Sequence, residues 1–222
     1  MLRYLAYFFS IIFHPLLVLT YMLIILLLVN PYMFGVNSIA SSTPLILMIF
    51  LSTFFIPIVA VVMMKFLGLI SSFEMRDRHE RIGPYIITGV LYLWIFRNVL
   101  ENPNIPYPYK VFVLGATIGL FVAFFINLFS KISMHAVGMG GLVGMLILTV
   151  SFYSYPSFTI PFGAISFEMK TYSLLMIFII LSGLVGTSRL FLNAHEINDL
   201  YGGFFVGVGT QFLALPIITF LI

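Results

Sequence analysis

The sequence predicts an all-α fold: a polytopic membrane bundle of six to seven transmembrane helices, in one domain spanning residues 1–222. Three observations predict it. Hydrophobic residues fill 62% of the chain and the mean hydropathy is +1.17, more apolar surface than a soluble domain of this length has interior to hide. Charged residues are only 8% of the total. The apolar residues gather into seven segments, most of them near the ~20 residues a helix needs to cross the hydrocarbon core.

The first segment, about 4–29, contains His14-Pro15. It is too long for a signal peptide and lacks a small-residue cleavage site, so it reads as a span. The second, about 44–70, opens at Pro44 and is interrupted by Pro57. The polar stretch SSFEMRDRHERIG follows. The third, about 84–100, carries Arg97. It is short enough to be a re-entrant or interfacial helix instead of a full span. ENPNIPYPYK turns the chain into the fourth segment, about 111–129, and KISMH leads into the fifth, about 135–153. The loop YSYPSFTIPFGAISFEMK precedes the sixth, about 171–187. SRLFLNAHEIND precedes the seventh, about 200–222. Prolines and aromatics in the turns suit chain reversals at the interface. The segments are expected to be helices, because a lipid-exposed backbone must satisfy its own hydrogen bonds.

Two spans separate RDRHERIGP from KISMH, and two more separate KISMH from SRLFLNAHEIND. If the third segment crosses fully, all three polar clusters therefore meet on one face. Arg3, Lys65, Arg76, Arg78, Arg81, Lys131 and Arg189 fall there, leaving Arg97, Lys110 and Lys170 on the other. The positive-inside rule, counted plainly, makes the richer face cytoplasmic. Setting aside the residues that phosphate binding would explain removes that preference. Other classes are excluded. With no cysteine there is neither a disulfide nor a thiolate metal site. A net charge of +3 is too small for nucleic-acid binding.

Charge near a bilayer is costly and usually marks function. His195 and Asp199, four apart, are expected on one helical face. There the carboxylate takes the proton of one imidazole nitrogen and leaves the other as nucleophile or base. Arg189 offers a bidentate guanidinium to phosphate or carboxylate. The same residues also read as a polar helix cap with a structural ion pair. In KISMH, Ser133 is placed to cap the fifth helix, with His135 in its first turn and Lys131 just outside. Helix N-termini bind anions, though an ordinary cap with a snorkelling lysine reads equally well. Arg76, Arg78 and Arg81 alternate with Glu74, Asp77 and Glu80. They are either phosphate-oxygen donors or a solvated loop of local ion pairs. His14 reads as a helix–helix hydrogen bond, and Arg97 as snorkelling or paired with Glu101. The glycines of GMGGLVG and GGFFVGVG permit close helix packing.

Together the clusters resemble the type 2 phosphatidic acid phosphatase superfamily of integral membrane lipid phosphatases. Its ordered motifs are K-x6-R-P, P-S-G-H and S-R-x5-H-x3-D. The third is present as Ser188, Arg189, His195 and Asp199. The second keeps Ser133 and His135, with Ile132 and Met134 in place of proline and glycine. In the first, counted back from Pro84, Arg76 stands at the lysine position and Gly83 at the arginine position, with Arg81 two residues early. The resemblance covers about residues 74–203. It divides the chain into a phosphatase-like core, about 74–222, and two additional N-terminal spans, about 4–70.

The resemblance implies a metal-independent mechanism without cofactor. His195 attacks phosphorus to form a phosphohistidine, Asp199 orients it, and His135 is the general acid. Arg189, Ser188, Ser133, Lys131 and one or more of Arg76, Arg78 and Arg81 hold the phosphoryl oxygens. The implied partner is a membrane lipid carrying a phosphate or diphosphate head group, hydrolysed at the outward face of a bacterial-type cell membrane. The alternative is a binding or transport protein that keeps the anion site without turnover. A phosphotransferase, with an alcohol in place of water, would use the same residues.

Overall fold

The computed structural model describes residues 2–73, 75, 77–162 and 165–221, without the side chains of 161, 162 and 165. Seven of its helical stretches are long and apolar enough to cross a membrane. The chain is an all-α polytopic helix bundle and a multi-pass membrane protein.

The first span is broken. α1 (Leu2–Ile12) ends before His14, and after a short 3₁₀ turn at Pro15–Leu17 the chain continues as α2 (Val18–Val29). Proline has no N–H and forbids helical geometry to the residue before it, so the break falls at His14-Pro15. The second span is α3 (Thr43–Phe50), a π-helical turn over Leu51–Phe55, and α4 (Ile56–Phe66). The wide turn comes just before Pro57. It absorbs the missing donor and the ring's clash with the preceding turn, so the span bends without breaking. Gly68, at φ 73°, reverses the chain at the end of α4. There Leu69 N–H donates to the Met64 carbonyl and Gly68 N–H to that of Lys65.

The third segment forms a full-length helix. α5 (Ile82–Glu101) is twenty residues long and packs along α6 (Tyr107–Phe129). Arg97 pairs with Glu101 at 3.0 Å. On the same far face the buried Lys110 donates to the Leu100 carbonyl at 2.9 Å, placing a cation on the C-terminal end of α5. α7 (Met134–Leu148) ends in a second π-helical turn, Thr149–Tyr153. The loop that follows is not irregular. It holds an antiparallel hairpin of β1 (Ser157–Phe162) and β2 (Ile165–Lys170), in which Phe158 pairs with Met169 and both face the core. α8 (Thr171–Phe191) and α9 (Ile197–Leu221) complete the bundle.

The centre is built on α7 against α9. Lipid offers no hydrophobic drive between helices, so close approach relies on small residues. Both glycine runs serve this one contact. A Cβ at Gly140 would strike the Phe204 carbonyl, and one at Gly207 the Val137 carbonyl. α6 and α2 pack alongside, with Tyr109 of α6 buried and donating to the Leu19 carbonyl at 3.2 Å. The effect is to fix the charged ends of α5, α6, α7, α8 and α9 beside one another.

Candidate functional site

The three polar loops meet as the parity of the spans requires. Arg78 donates to the Phe129 carbonyl at 2.6 Å, and Asn127 donates back to the Arg78 carbonyl at 3.0 Å. The first cluster is thereby stapled to the end of α6. Ser133 N–H donates to the Asp199 carbonyl at 3.3 Å, tying the second cluster to the third.

The third cluster departs from the expected geometry in one respect. His195 is not on a helix. α8 ends at Phe191, and Asn193 takes a left-handed conformation, φ 51°. Asn193 N–H then bonds the Leu190 carbonyl, and Ala194 N–H the Arg189 carbonyl, closing a Schellman end. This reversal brings His195 back beside Arg189. Asp199 sits in the first turn of α9 and accepts two bonds: 3.2 Å from Glu196 N–H and 3.1 Å from His195 Nδ1. The first is half of a capping box. The second gives the imidazole its orientation and leaves Nε2 as the bare nitrogen. Both side chains are well buried, at 6% and 13% exposure.

Burial pushes the His195 imidazole down from 6.5 to about 4. The Asp199 hydrogen bond opposes this, while nearby Arg81 and Arg189 add to the lowering. His195 is therefore neutral at ordinary pH, with an unprotonated Nε2.

His195 lies on the wall of a cavity of about 910 Å³, near the upper end of the ~300–1,000 Å³ usual for ligand sites. Arg81, Lys131, His135 and Arg189 line the same cavity. Four of the predicted site residues are thus gathered around His195, with Asp199 directly behind it. Below them the lining is mostly apolar, interrupted by Thr88, Thr210 and Gln211, and it reaches Gly207 and Gln211, deep within α9. Arg81 is steadied by a 2.9 Å bond from Nε to the Met75 carbonyl.

The remaining predicted residues are placed differently. Ser133 is wholly buried, and its Oγ accepts from Ala136 N–H at 3.4 Å as the cap of α7. Ser188 is buried, with its hydroxyl on the Leu184 carbonyl at 2.7 Å. Neither lines the cavity, and neither does Arg78, whose guanidinium closes α6. Asp77 pairs locally with His79 at 3.0 Å, as a solvated loop would. Arg76 lies outside the described residues.

Beyond Arg3, already expected on this face, α1 and the turn after it were not anticipated as part of the site. Arg3, Tyr7, Ser10 and His14 all line the cavity. His135 Nε2 donates to the Ser10 carbonyl at 3.0 Å. The His14 ring stands edge-on to that of His135, with centroids 5.6 Å apart, and its Nδ1 accepts from Leu16 N–H at 3.4 Å. His14 therefore caps the turn that breaks the span, instead of bridging two helices. Its position beside Pro15 was the available signal, since a residue before proline is where a helix must stop.

Among the described residues no three His, Asp or Glu side chains converge as metal ligands. No family model, no curated protein and no solved structure matches the chain.

Proposed function

We propose that the chain is a membrane lipid phosphatase, hydrolysing a lipid phosphate or diphosphate monoester through a phosphohistidine. One observation carries the reading. A neutral histidine oriented by a buried carboxylate stands at the cationic end of a cavity whose lining is otherwise mostly apolar and runs down between membrane-spanning helices. That shape and polarity suit a molecule with an anionic head and hydrocarbon chains.

The lone pair of His195 Nε2 attacks phosphorus, and the bond to the leaving oxygen breaks. Arg81, Lys131 and Arg189 hold the phosphoryl oxygens. Such fixed charge in a water-poor site is usually the largest catalytic contribution. With Nε2 of His135 donating to Ser10, the proton for the leaving oxygen must come from Nδ1 of a doubly protonated ring. A bound phosphate dianion would supply the charge that holds that ring doubly protonated. Water then attacks phosphorus and gives a proton to the free Nδ1 of His135, the P–N bond breaks, and inorganic phosphate leaves with His195 neutral and His135 reprotonated. On this reading the site lies at the outward face of a cell membrane, as the family resemblance implies.

The test is phosphate release by detergent-solubilised protein in EDTA. The lipids offered are phosphatidate, phosphatidylglycerol phosphate, undecaprenyl diphosphate and lipid A, with His195→Ala as control. Release that disappears in the variant supports the proposal. Folded protein that releases no more than the variant across the panel contradicts it. The second reading, an anion-binding or transport protein without turnover, is favoured by the engagement of His135 Nε2 with Ser10. It predicts lipid binding without release.

A further inference from the structure

Two walls of the cavity come from helices whose main packing partners differ. α1 contributes Tyr7 and Ile11, and α4 contributes Ile58, Val61 and Val62. α1 packs chiefly on α8 and α4 chiefly on α5, and the two spans meet deeper, where the turn at Pro15–Leu17 touches Leu51–Phe55. Counted from Arg3 on α1 and Phe66 on α4, Tyr7 and Val62 each stand four residues in, and Ile11 and Ile58 each stand eight. At 1.5 Å per residue these rungs lie about 6 and 12 Å below the charged face. Both depths fall within one leaflet, about 15 Å of hydrocarbon. Tyr7 and Ile11 are 40% and 67% exposed, so the α1 wall presents apolar surface to the bilayer as well as to the cavity.

We propose that the gap between α1 and α4 is a lateral portal, by which the chains of an anionic lipid pass from one leaflet into the cavity while its head stays at the charged face. The head group assignment rests on the phosphatase reading; the portal does not. Charge complementarity selects the occupant. The apolar gap is continuous with the end of the cavity carrying Arg81, Lys131 and Arg189. A lipid arriving from water would expose its chains and drag them past those cations. One sliding in sideways keeps its chains in hydrocarbon and its head in the polar layer throughout. The additional N-terminal spans are therefore the two sides of the substrate's path.

The experiment uses phosphatidate with a photoactivatable diazirine in one acyl chain, in phosphatidylcholine vesicles holding the unaltered protein. Label is expected on Tyr7, Ile11, Ile58, Val61 or Val62, displaced by excess phosphatidate but not by added phosphatidylcholine. Label displaced equally by both lipids, or phosphatidate-specific label confined to the outer faces of α8 and α9, overturns the portal. A second measurement exploits the absence of cysteine. Tyr7→Cys and Val62→Cys are joined by a bifunctional maleimide. The bridge is expected to lower phosphatidate turnover by about tenfold or more, with little change for glycerol 3-phosphate, which reaches the site from water. Equal loss for both substrates, or loss for neither, contradicts the portal. If no form of the protein releases phosphate, the phosphatase reading fails and the labelling pattern alone decides the portal.

Discussion

His135 Nε2 donates to the Ser10 carbonyl at 3.0 Å, across 125 residues of sequence, and so joins the start of α7 to the opening helix of the chain. The bond fixes the tautomer of His135 and makes α1 part of the site. A side-chain amide can reproduce the donor but not the acid. His135→Gln is therefore expected to abolish phosphate release while keeping stability within about 1 kcal/mol, the worth of one hydrogen bond. His135→Ala is expected to lose both. Thermal unfolding beside phosphate release separates the two variants. Equal stability of the glutamine and alanine variants would deny the bond its structural role.

Asp199 carries two duties, holding His195 Nδ1 and capping the start of α9. Asp199→Asn is expected to cut kcat by about 10²–10⁴-fold, the span of a positioned acid–base group. The added stability loss is about 1 kcal/mol, for a weakened cap. A variant with unchanged kcat would mean that His195 needs no orienting carboxylate.

The ionisation of His195 gives a prediction with a definite sign. Burial holds its imidazole neutral down to about pH 4. An imidazole NMR titration of the ligand-free protein is expected to show this ring protonating near 4, with no step at 6.5. Asp199→Asn should lower the midpoint further, because the hydrogen bond and charge of Asp199 both favour the protonated form. An upward move in that variant would contradict the assignment of causes.

Two arginines of the first cluster are expected to behave differently. Arg81 lines the cavity, whereas Arg78 closes the end of α6. Arg81→Ala is expected to lower kcat/KM by about 10²-fold or more, as loss of a preorganised charge does. Arg78→Ala should cost about 1 kcal/mol of stability, with kcat/KM changed much less. Similar kinetic losses in both would place Arg78 at the phosphate.

The spans were legible because long apolar runs between polar turns admit few structures in lipid. Their parity also brought Arg81, Lys131, His135, Arg189 and His195 to one face. The finer geometry depended on tertiary context. The fourfold spacing of His195 and Asp199 was read as a helical face, but the left-handed Asn193 puts His195 in the turn before α9. The hairpin of residues 157–170 was read as a loop, since prolines and aromatics equally suit an interfacial turn. Its signal was the alternation around Phe158, Thr159 and Ile160, of which Thr159 alone faces outward. Ser133 was legible as a cap, but burial behind the N-terminus of α7 keeps it from the cavity. The role of Ser10 was not legible, because nothing local marks a contact made 125 residues away, and the cap at His14 was signalled only by the proline that follows it.

The central claim is that phosphorus is transferred to His195. The direct measurement is rapid alkaline quenching during turnover of a ³²P-labelled lipid phosphate that the protein hydrolyses, followed by peptide mapping. The account predicts alkali-stable, acid-labile label on the peptide containing His195, absent from His195→Ala and accumulating when water attack is slowed. Phosphate release with no label at any quench time, or label on another residue, would contradict it.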